Sequence, residues 1–177
     1  MKLKFKLSPL KRAIVSAIAL GLTILGTQSH ADTGTSNMSV SATVEHSCSM
    51  NISPMTFGVY DGVVANASAA LKATATVISS CTSGAAALIT MNTGNFAGSG
   101  SDDTPVRRMT SGTGDYLVYQ VYSDVSQETV WGNTASTGVA LTGTGLPQSQ
   151  IVYGSIPSAQ MVPEGDYSDQ IVVTITY

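Results

Sequence analysis

The sequence predicts an all-β, antiparallel sandwich, and three observations predict it. From Asp32 onward, Gly, Ser and Thr make up 54 of 146 residues, a composition of strands and turns. No window in that stretch sustains apolar residues at i, i+3, i+4 and i+7. Several windows instead alternate apolar and polar residues, the period of two expected of a strand with one buried face. Clusters such as Gly98-Ser99-Gly100-Ser101-Asp102-Asp103 and Gly112-Thr113-Gly114-Asp115 separate these windows at roughly 8 to 15 residue intervals, the spacing of short strands joined by turns.

The first alternating stretch is Met38-Ser39-Val40-Ser41-Ala42-Thr43-Val44, with every even position apolar and every odd one Ser or Thr. It reads either as an ordinary first strand of the chain's own sandwich or as a surplus one, because Glu45-His46-Ser47 interrupts it before a second alternation begins at Cys48, Met50 and Ile52. Leu71 to Cys81 follows, with Leu71, Ala73, Ala75, Val77 and Cys81 on one face and Lys72, Thr74, Thr76 and Ser80 on the other. Further strands are predicted at Leu88 to Met91, Val106 to Thr110, Tyr116 to Tyr122, Thr129 to Trp131, Val139 to Thr142 and Gln150 to Ile156. The last, Gln170 to Tyr177, sets Ile171, Val173, Ile175 and Tyr177 against Gln170, Val172, Thr174 and Thr176. No later segment covers its edge, and open strand edges recruit other chains. A strand in excess at the start and one lacking at the end predict that each molecule lends its N-terminal strand to the next.

Charge and targeting narrow the partners. Five of the eight basic residues (Lys2, Lys4, Lys6, Lys11 and Arg12) precede an apolar run from Ala13 to Gly26 and then Ser29-His30-Ala31, the pattern of a secretory signal peptide ending at residue 31. The apolar run spans 14 residues, whereas a bilayer-crossing helix needs roughly 20. Beyond Ala31 only Lys72, Arg107 and Arg108 stand against eleven acidic residues, a net charge of −8. Such a surface excludes nucleic acid and anionic membrane as partners. Cys48 and Cys81, an even count in an exported chain, read as one disulfide. A zinc site usually takes four nitrogen or sulfur ligands, and two thiols with His46, the single histidine beyond residue 31, do not supply them.

The same scarcity argues against an enzyme and against any cofactor or small-molecule substrate. His46 lies in a segment that reads as a strand connection, and no helix N-terminus follows a glycine-rich loop. Asp102, Asp103 and Asp115 sit in glycine-rich turns without the spacing of a calcium loop. Tyr116, Tyr119, Tyr122, Trp131 and Tyr153 read either as a sugar-stacking surface or as core and cross-strand packing.

These residues resemble the spore coat protein U domain family, which includes subunits of archaic chaperone-usher pili. The resemblance rests on Ser47-Cys48-Ser49-Met50, Phe57-Gly58-Val59-Tyr60-Asp61, Val77-Ile78-Ser79-Ser80-Cys81-Thr82 and Arg107-Arg108-Met109. It continues through the stretch from Tyr116 to Asp124, Val130-Trp131-Gly132 and Val152-Tyr153-Gly154-Ser155-Ile156-Pro157. Its most specific element is Gly165-Asp166-Tyr167-Ser168-Asp169 followed by the alternation from Ile171 to Tyr177. The resemblance implies an immunoglobulin-like antiparallel sandwich lacking its final strand, completed by a neighbour's N-terminal extension through donor-strand complementation. It implies a division into signal peptide (1–31), donor-strand extension (32–46) and pilin domain (47–177). Met38, Val40, Ala42 and Val44 become the donor plugs, and Cys48, Met50, Ile52, Ile171, Val173 and Ile175 the walls of the acceptor groove. Gly165 and Tyr177, twelve positions apart, correspond to a chaperone-recognition pair, although Tyr177 is the last residue of the sequence where related pilins have a penultimate aromatic. Implied partners are copies of the chain or related pilus subunits, a periplasmic chaperone and an outer-membrane usher; the implied location is the cell surface, with roles in adhesion and biofilm. Two other roles remain open at this level, a secreted coat or matrix protein that does not polymerise and a sugar-binding tip adhesin.

Overall fold

The structure, a computed structural model, describes residues 30–177. The basic and apolar stretch read as a signal peptide lies, through Ser29, outside the described residues. The chain divides into two units, Met1–Ser41 and Ala42–Tyr177. Of the first, residues 30–41 are described; they form no helix or strand, and Met38 and Val40 are more than 80% exposed.

The second unit holds eight strands: β1 (Cys48–Ile52), β2 (Leu71–Cys81), β3 (Ala86–Met91), β4 (Arg107–Thr110), β5 (Tyr116–Tyr122), β6 (Val139–Thr142), β7 (Pro147–Ile156) and β8 (Val173–Thr176). They build a five-stranded sheet in the order β1-β2-β7-β5-β4 and a three-stranded sheet in the order β6-β3-β8. Every pairing is antiparallel. The fold is therefore the all-β sandwich the alternation predicts, with β1 and β8 each flanked on one side only.

Period two explains the core. Along β2 the odd positions Ala75, Val77, Ser79 and Cys81 are buried while Lys72, Thr74 and Ile78 are exposed. Leu117 and Val121 of β5 and Val152 and Ile156 of β7, in the same sheet, join Ile89 and Met91 of β3, in the other, to fill the space between the sheets. Trp131 and Tyr119 belong to this core, with 0% and 5% exposure. The indole N–H of Trp131 donates to the Ile89 carbonyl at 2.9 Å. Their rings thus pack inward and belong to the core alternative of the sequence reading, whereas Tyr116 is exposed and Tyr122 stands opposite Tyr153 in the β5–β7 register.

Three strands differ from the sequence expectation, each for a backbone reason. Met38–Val44 has the alternation of a strand but forms none, since a lone extended segment needs a ladder partner to become one. Thr129–Trp131 reduces to a bridge between Val130 and Tyr122. Its chain serves both sheets at once: Trp131 N–H reaches the Val121 carbonyl on β5, and Met91 N–H on β3 reaches the Gly132 carbonyl. Gln170–Tyr177 shortens to β8 because the chain changes sheets just before it. Ser168 bridges Thr110 on β4, whereas Val173 pairs with Met91 on β3.

Cys48 and Cys81 face each other in the β1–β2 register and are disulfide-bonded. The ladder continues one step past Ile52, with Ser53 N–H on the Thr76 carbonyl, and stops at Pro54, which has no N–H to donate. From there Met55 to Asp61 leaves β2 and runs along the open side of the sandwich.

Candidate functional site

An apolar groove opens where β1 hands over to the Met55–Asp61 segment and where the chain crosses between sheets ahead of β8. It comprises two adjoining cavities. One, of about 570 Å³, is bounded by Ile52, Met55 and Phe57 on one side and by Ile171 and Val173 on the other, with Ala75, Val121 and Val152 of the core as its floor. The other, of about 720 Å³, continues from Met55, Phe57, Met109 and Tyr167 toward Val59, Val162 and Gly165. Sheet sandwiches normally close such a core with a strand; here the core residues face an opening.

The first wall depends on one glycine. Gly154 lies buried near the end of β7, and a Cβ there would overlap the Met55 sulfur and come within 2.8 Å of Phe57 Cζ. Its missing side chain is what lets Met55 and Phe57 lie flat against β7. Phe57 in turn meets Tyr119 edge-on, with ring centroids 6.3 Å apart.

The second wall, Asp169–Val173, leads into β8 and is held ahead of that strand's ladder by polar pins. Val172 N–H donates to Asn92 Oδ1 at 2.8 Å, and Asn92 N–H donates to the Val172 carbonyl at 3.1 Å. Both polar backbone groups of Val172 therefore point at β3. Since successive residues of an extended chain alternate their backbone directions, those of Ile171 and Val173 point to the open edge. The side chains of Ile171, Val173 and Ile175 are half-buried toward the core. Asp169 takes the Tyr119 hydroxyl at 2.7 Å and the Asn95 N–H at 2.9 Å. Its carboxylate occupies the space a Cβ on Gly94 would need, and Gly94 has a φ of +82° that favours glycine.

Beneath this wall lies Arg107, fully buried. Its guanidinium donates to the carbonyls of Asn92 (2.9 Å), Met91 (2.9 Å) and Trp131 (2.8 Å) and to Gln120 Oε1 (2.6 Å). Burial pulls the guanidinium down to about 10, with the nearby Tyr119 and Asp169 acting in the opposite direction, so it stays charged at neutral pH. Burial, and next the hydrogen bond to Asp169, push the Tyr119 hydroxyl well above its ordinary value, so it remains a donor. Arg108, one residue on, has its guanidinium carbon 4.1 Å from the Tyr116 ring centroid and donates to the Phe96 carbonyl at 3.1 Å.

Of the predicted groove residues, Ile52, Ile171 and Val173 line the 570 Å³ cavity, while Met50 and Ile175 pack partly buried against the core beside it. Cys48 packs with Cys81 at the far end of β1. Gly165 lies on the 720 Å³ cavity, and Tyr177 is 54% exposed just past β8. Ala42 and Val44 are exposed, as Met38 and Val40 are. Sequence reasoning did not assign groove roles to Met55, Phe57, Met109 and Tyr167. A signal for two of them was present: Met50 and Ile52 alternate on even numbers, and Met55 and Phe57 resume the alternation on odd ones, a one-residue phase shift at Pro54.

The profile of the Spore Coat Protein U domain matches residues 34–174. The chain belongs to this family. Protein U of Myxococcus xanthus is 36% identical over 179 residues, covering 97% of this chain and all of that protein. Among solved structures, a chain from the crystal structure of the CsuC-CsuE chaperone-tip adhesion subunit pre-assembly complex, from archaic chaperone-usher Csu pili of Acinetobacter baumannii, superposes with a TM-score of 0.55 at 17% identity. That match covers 76% of this chain and 40% of the other, so this spore coat protein U domain spans less than half of the chain it resembles. At this identity the likeness is one of fold.

Proposed function

We propose that this spore coat protein U domain chain is a structural subunit of a chaperone-usher pilus, polymerising by donor-strand complementation. One observation carries the reading: an apolar groove with an unpaired strand edge, in a chain that also exposes an alternating apolar segment belonging to no strand. In this mechanism Met38, Val40, Ala42 and Val44 of one subunit enter the groove of the next. Their backbone pairs with the open edge at Ile171, Val173 and Ile175, and their side chains cover Met50, Ile52, Met55 and Phe57. The N-terminal 31 residues direct export, residues 32–46 are the donor extension, and 47–177 the receiving domain. A periplasmic chaperone fills the groove before assembly, with Gly165 and Tyr177 in its recognition, and an outer-membrane usher passes the fibre to the cell surface for adhesion and biofilm formation. The Acinetobacter complex, a chaperone bound to a pilus subunit before assembly, supports these partners by analogy of fold.

Burying a Val or Met side chain contributes roughly 1.5 to 3 kcal/mol, so four plugs supply on the order of 5 to 10 kcal/mol before ordering costs. Val40→Asp places an unpaired carboxylate in the groove at a cost of several kcal/mol and abolishes polymers. Because Val40 is 81% exposed in the free chain, the variant folds normally and still accepts a wild-type donor strand. Ser39→Asp, on the opposite face, polymerises. Light scattering of the mature protein measures both; equal polymer yield from the two variants removes Met38–Val44 as the donated strand and with it the mechanism.

A further inference from the structure

The alternation of the N-terminal segment permits a second outcome that would defeat polymerisation. If Glu45-His46-Ser47 formed a three-residue turn, a common hairpin connection, Val44 would stand opposite Cys48, Ala42 opposite Met50 and Val40 opposite Ile52. All six positions are even, so every apolar side chain would fall on one face. Each chain would then cover the open edge of its own β1.

The backbone around Thr82 opposes that turn. Thr82 N–H donates to the Ser47 carbonyl at 2.9 Å, and Ser47 N–H donates to Thr82 Oγ1 at 3.1 Å. The Thr82 hydroxyl proton has two acceptors within reach, the carbonyls of Ser47 at 3.3 Å and Glu45 at 3.4 Å. Ser47 is thereby added to the β1–β2 ladder one step beyond the Cys48–Cys81 disulfide, and Glu45 is held in line with it. β2 itself turns away at this point, with Ala85 N–H closing on the Thr82 carbonyl at 3.0 Å. The three residues that would have to reverse direction are thus fixed as an extension of β1.

We infer that Thr82 is a positioning residue that keeps Glu45–Ser47 extended, so that the N-terminal segment is offered to a second copy of the chain and not folded back on its own β1. The inference rests on the donor-strand reading above. Thr82→Val keeps the β-branched shape and removes the hydroxyl that receives Ser47 and reaches Glu45. Losing two modest, exposed hydrogen bonds shifts such a partition by roughly five- to tenfold.

The test compares mature wild type, Thr82→Val and Thr82→Ser at one concentration by size-exclusion chromatography with light scattering, with hydrogen exchange of residues 38–44 in each monomer fraction. The expected result is a monomer-to-polymer ratio raised about five- to tenfold in Thr82→Val, with 38–44 protected in its monomer, and near wild type in Thr82→Ser, which restores the hydroxyl. A ratio within twofold of wild type for Thr82→Val overturns the inference while leaving donation intact. A wild-type protein that stays monomeric with 38–44 exchanging freely overturns donation itself. Should Thr82→Val fail to fold, inserting two glycines between Glu45 and His46 relaxes the same constraint, and an unchanged polymer yield again overturns the role of the clamp.

Discussion

Replacing Arg107 by Met tests whether the groove wall is held from beneath. Arg107 supplies four hydrogen bonds, three to main-chain carbonyls and one to Gln120. Met fills a similar volume and removes the cost of burying a charge, and replacing whole buried ion clusters by apolar groups is often neutral. That compensation fails here, because the carbonyls of Met91, Asn92 and Trp131 cannot be replaced along with the arginine. A buried acceptor left without a donor costs about 1 to 3 kcal/mol, and two of these bonds lie wholly inside the core. After the gain from a buried Met the net loss is about 3 to 5 kcal/mol, a large share of the 5 to 15 kcal/mol typical of a domain. Arg107→Lys falls between, since three donors on one nitrogen do not reach acceptors spread around a planar fork. Urea unfolding of the oxidised protein measures the loss through its midpoint and slope. Hydrogen exchange adds the local prediction: Val172, held by Asn92 at the end of β3, loses protection before Val77 in the middle of β2. A loss under 1 kcal/mol, or equal loss of protection at both sites, refutes the reasoning.

Three further outcomes follow from other parts of the fold. The Cys48–Cys81 bond closes a 33-residue separation, which the chain-entropy estimate values at about 3 to 4 kcal/mol; the double Cys→Ala variant should unfold at correspondingly lower urea, and a loss below 1 kcal/mol contradicts the estimate. Gly154→Ala should cost about 1 to 3 kcal/mol by forcing Met55 and Phe57 off β7 and should weaken uptake of a peptide spanning residues 36–46, with Met55→Ala restoring part of both; additive losses in the double variant refute the overlap. Asp124 is held at about 2, against an ordinary 3.8, chiefly by the Ser126 hydroxyl and then by the backbone N–H groups of Thr129 and Glu128. A carboxylate lowered by folding stabilises above its unfolded value and loses that contribution as pH falls through the folded one, so stability should decline between about pH 4 and pH 2 and Asp124→Asn should flatten that decline.

The sandwich was legible in the sequence because its strands bury one face, and burial writes itself as alternation. β2 is the clearest case: all of Leu71 to Cys81 forms one strand with the predicted face inside. Cys48 and Cys81 were legible for a different reason, that thiols in an exported chain have few other fates. Met38–Val44 alternates as fully as β2 does and yet is exposed and forms no strand, because side-chain period says nothing about whether a segment's own chain supplies a ladder partner. Trp131 shows the converse. Its neighbours alternate too weakly to predict more than a short strand, yet its backbone and indole join both sheets.

The groove was half legible, and the missing half is instructive about how it stays open. Ile52, Ile171 and Val173 continue the periodicity of β1 and β8. Met55 and Phe57 fell out of phase because Pro54 ends the ladder, and a reading tied to one parity loses the segment there. The pins of the opposite wall are illegible in principle, because Asn92 reaches Val172 across 80 positions, Asn95 reaches Asp169 across 74 and Tyr119 reaches Asp169 across 50. Those pins also resolve a physical difficulty. A strand with one flank empty and an apolar face half-covered has little to keep it in place, and an unsupported wall would collapse into the core. Asn92, through its backbone and its side chain, ties Val172 to the end of β3, and Asp169 is tied to Asn95 and to Tyr119 of β5; none of these bonds uses the outer edge. The wall can therefore stay extended while the backbone groups of Ile171 and Val173 point to the open edge, and under the proposed donation these groups, which no pin uses, are the ones an incoming strand would meet.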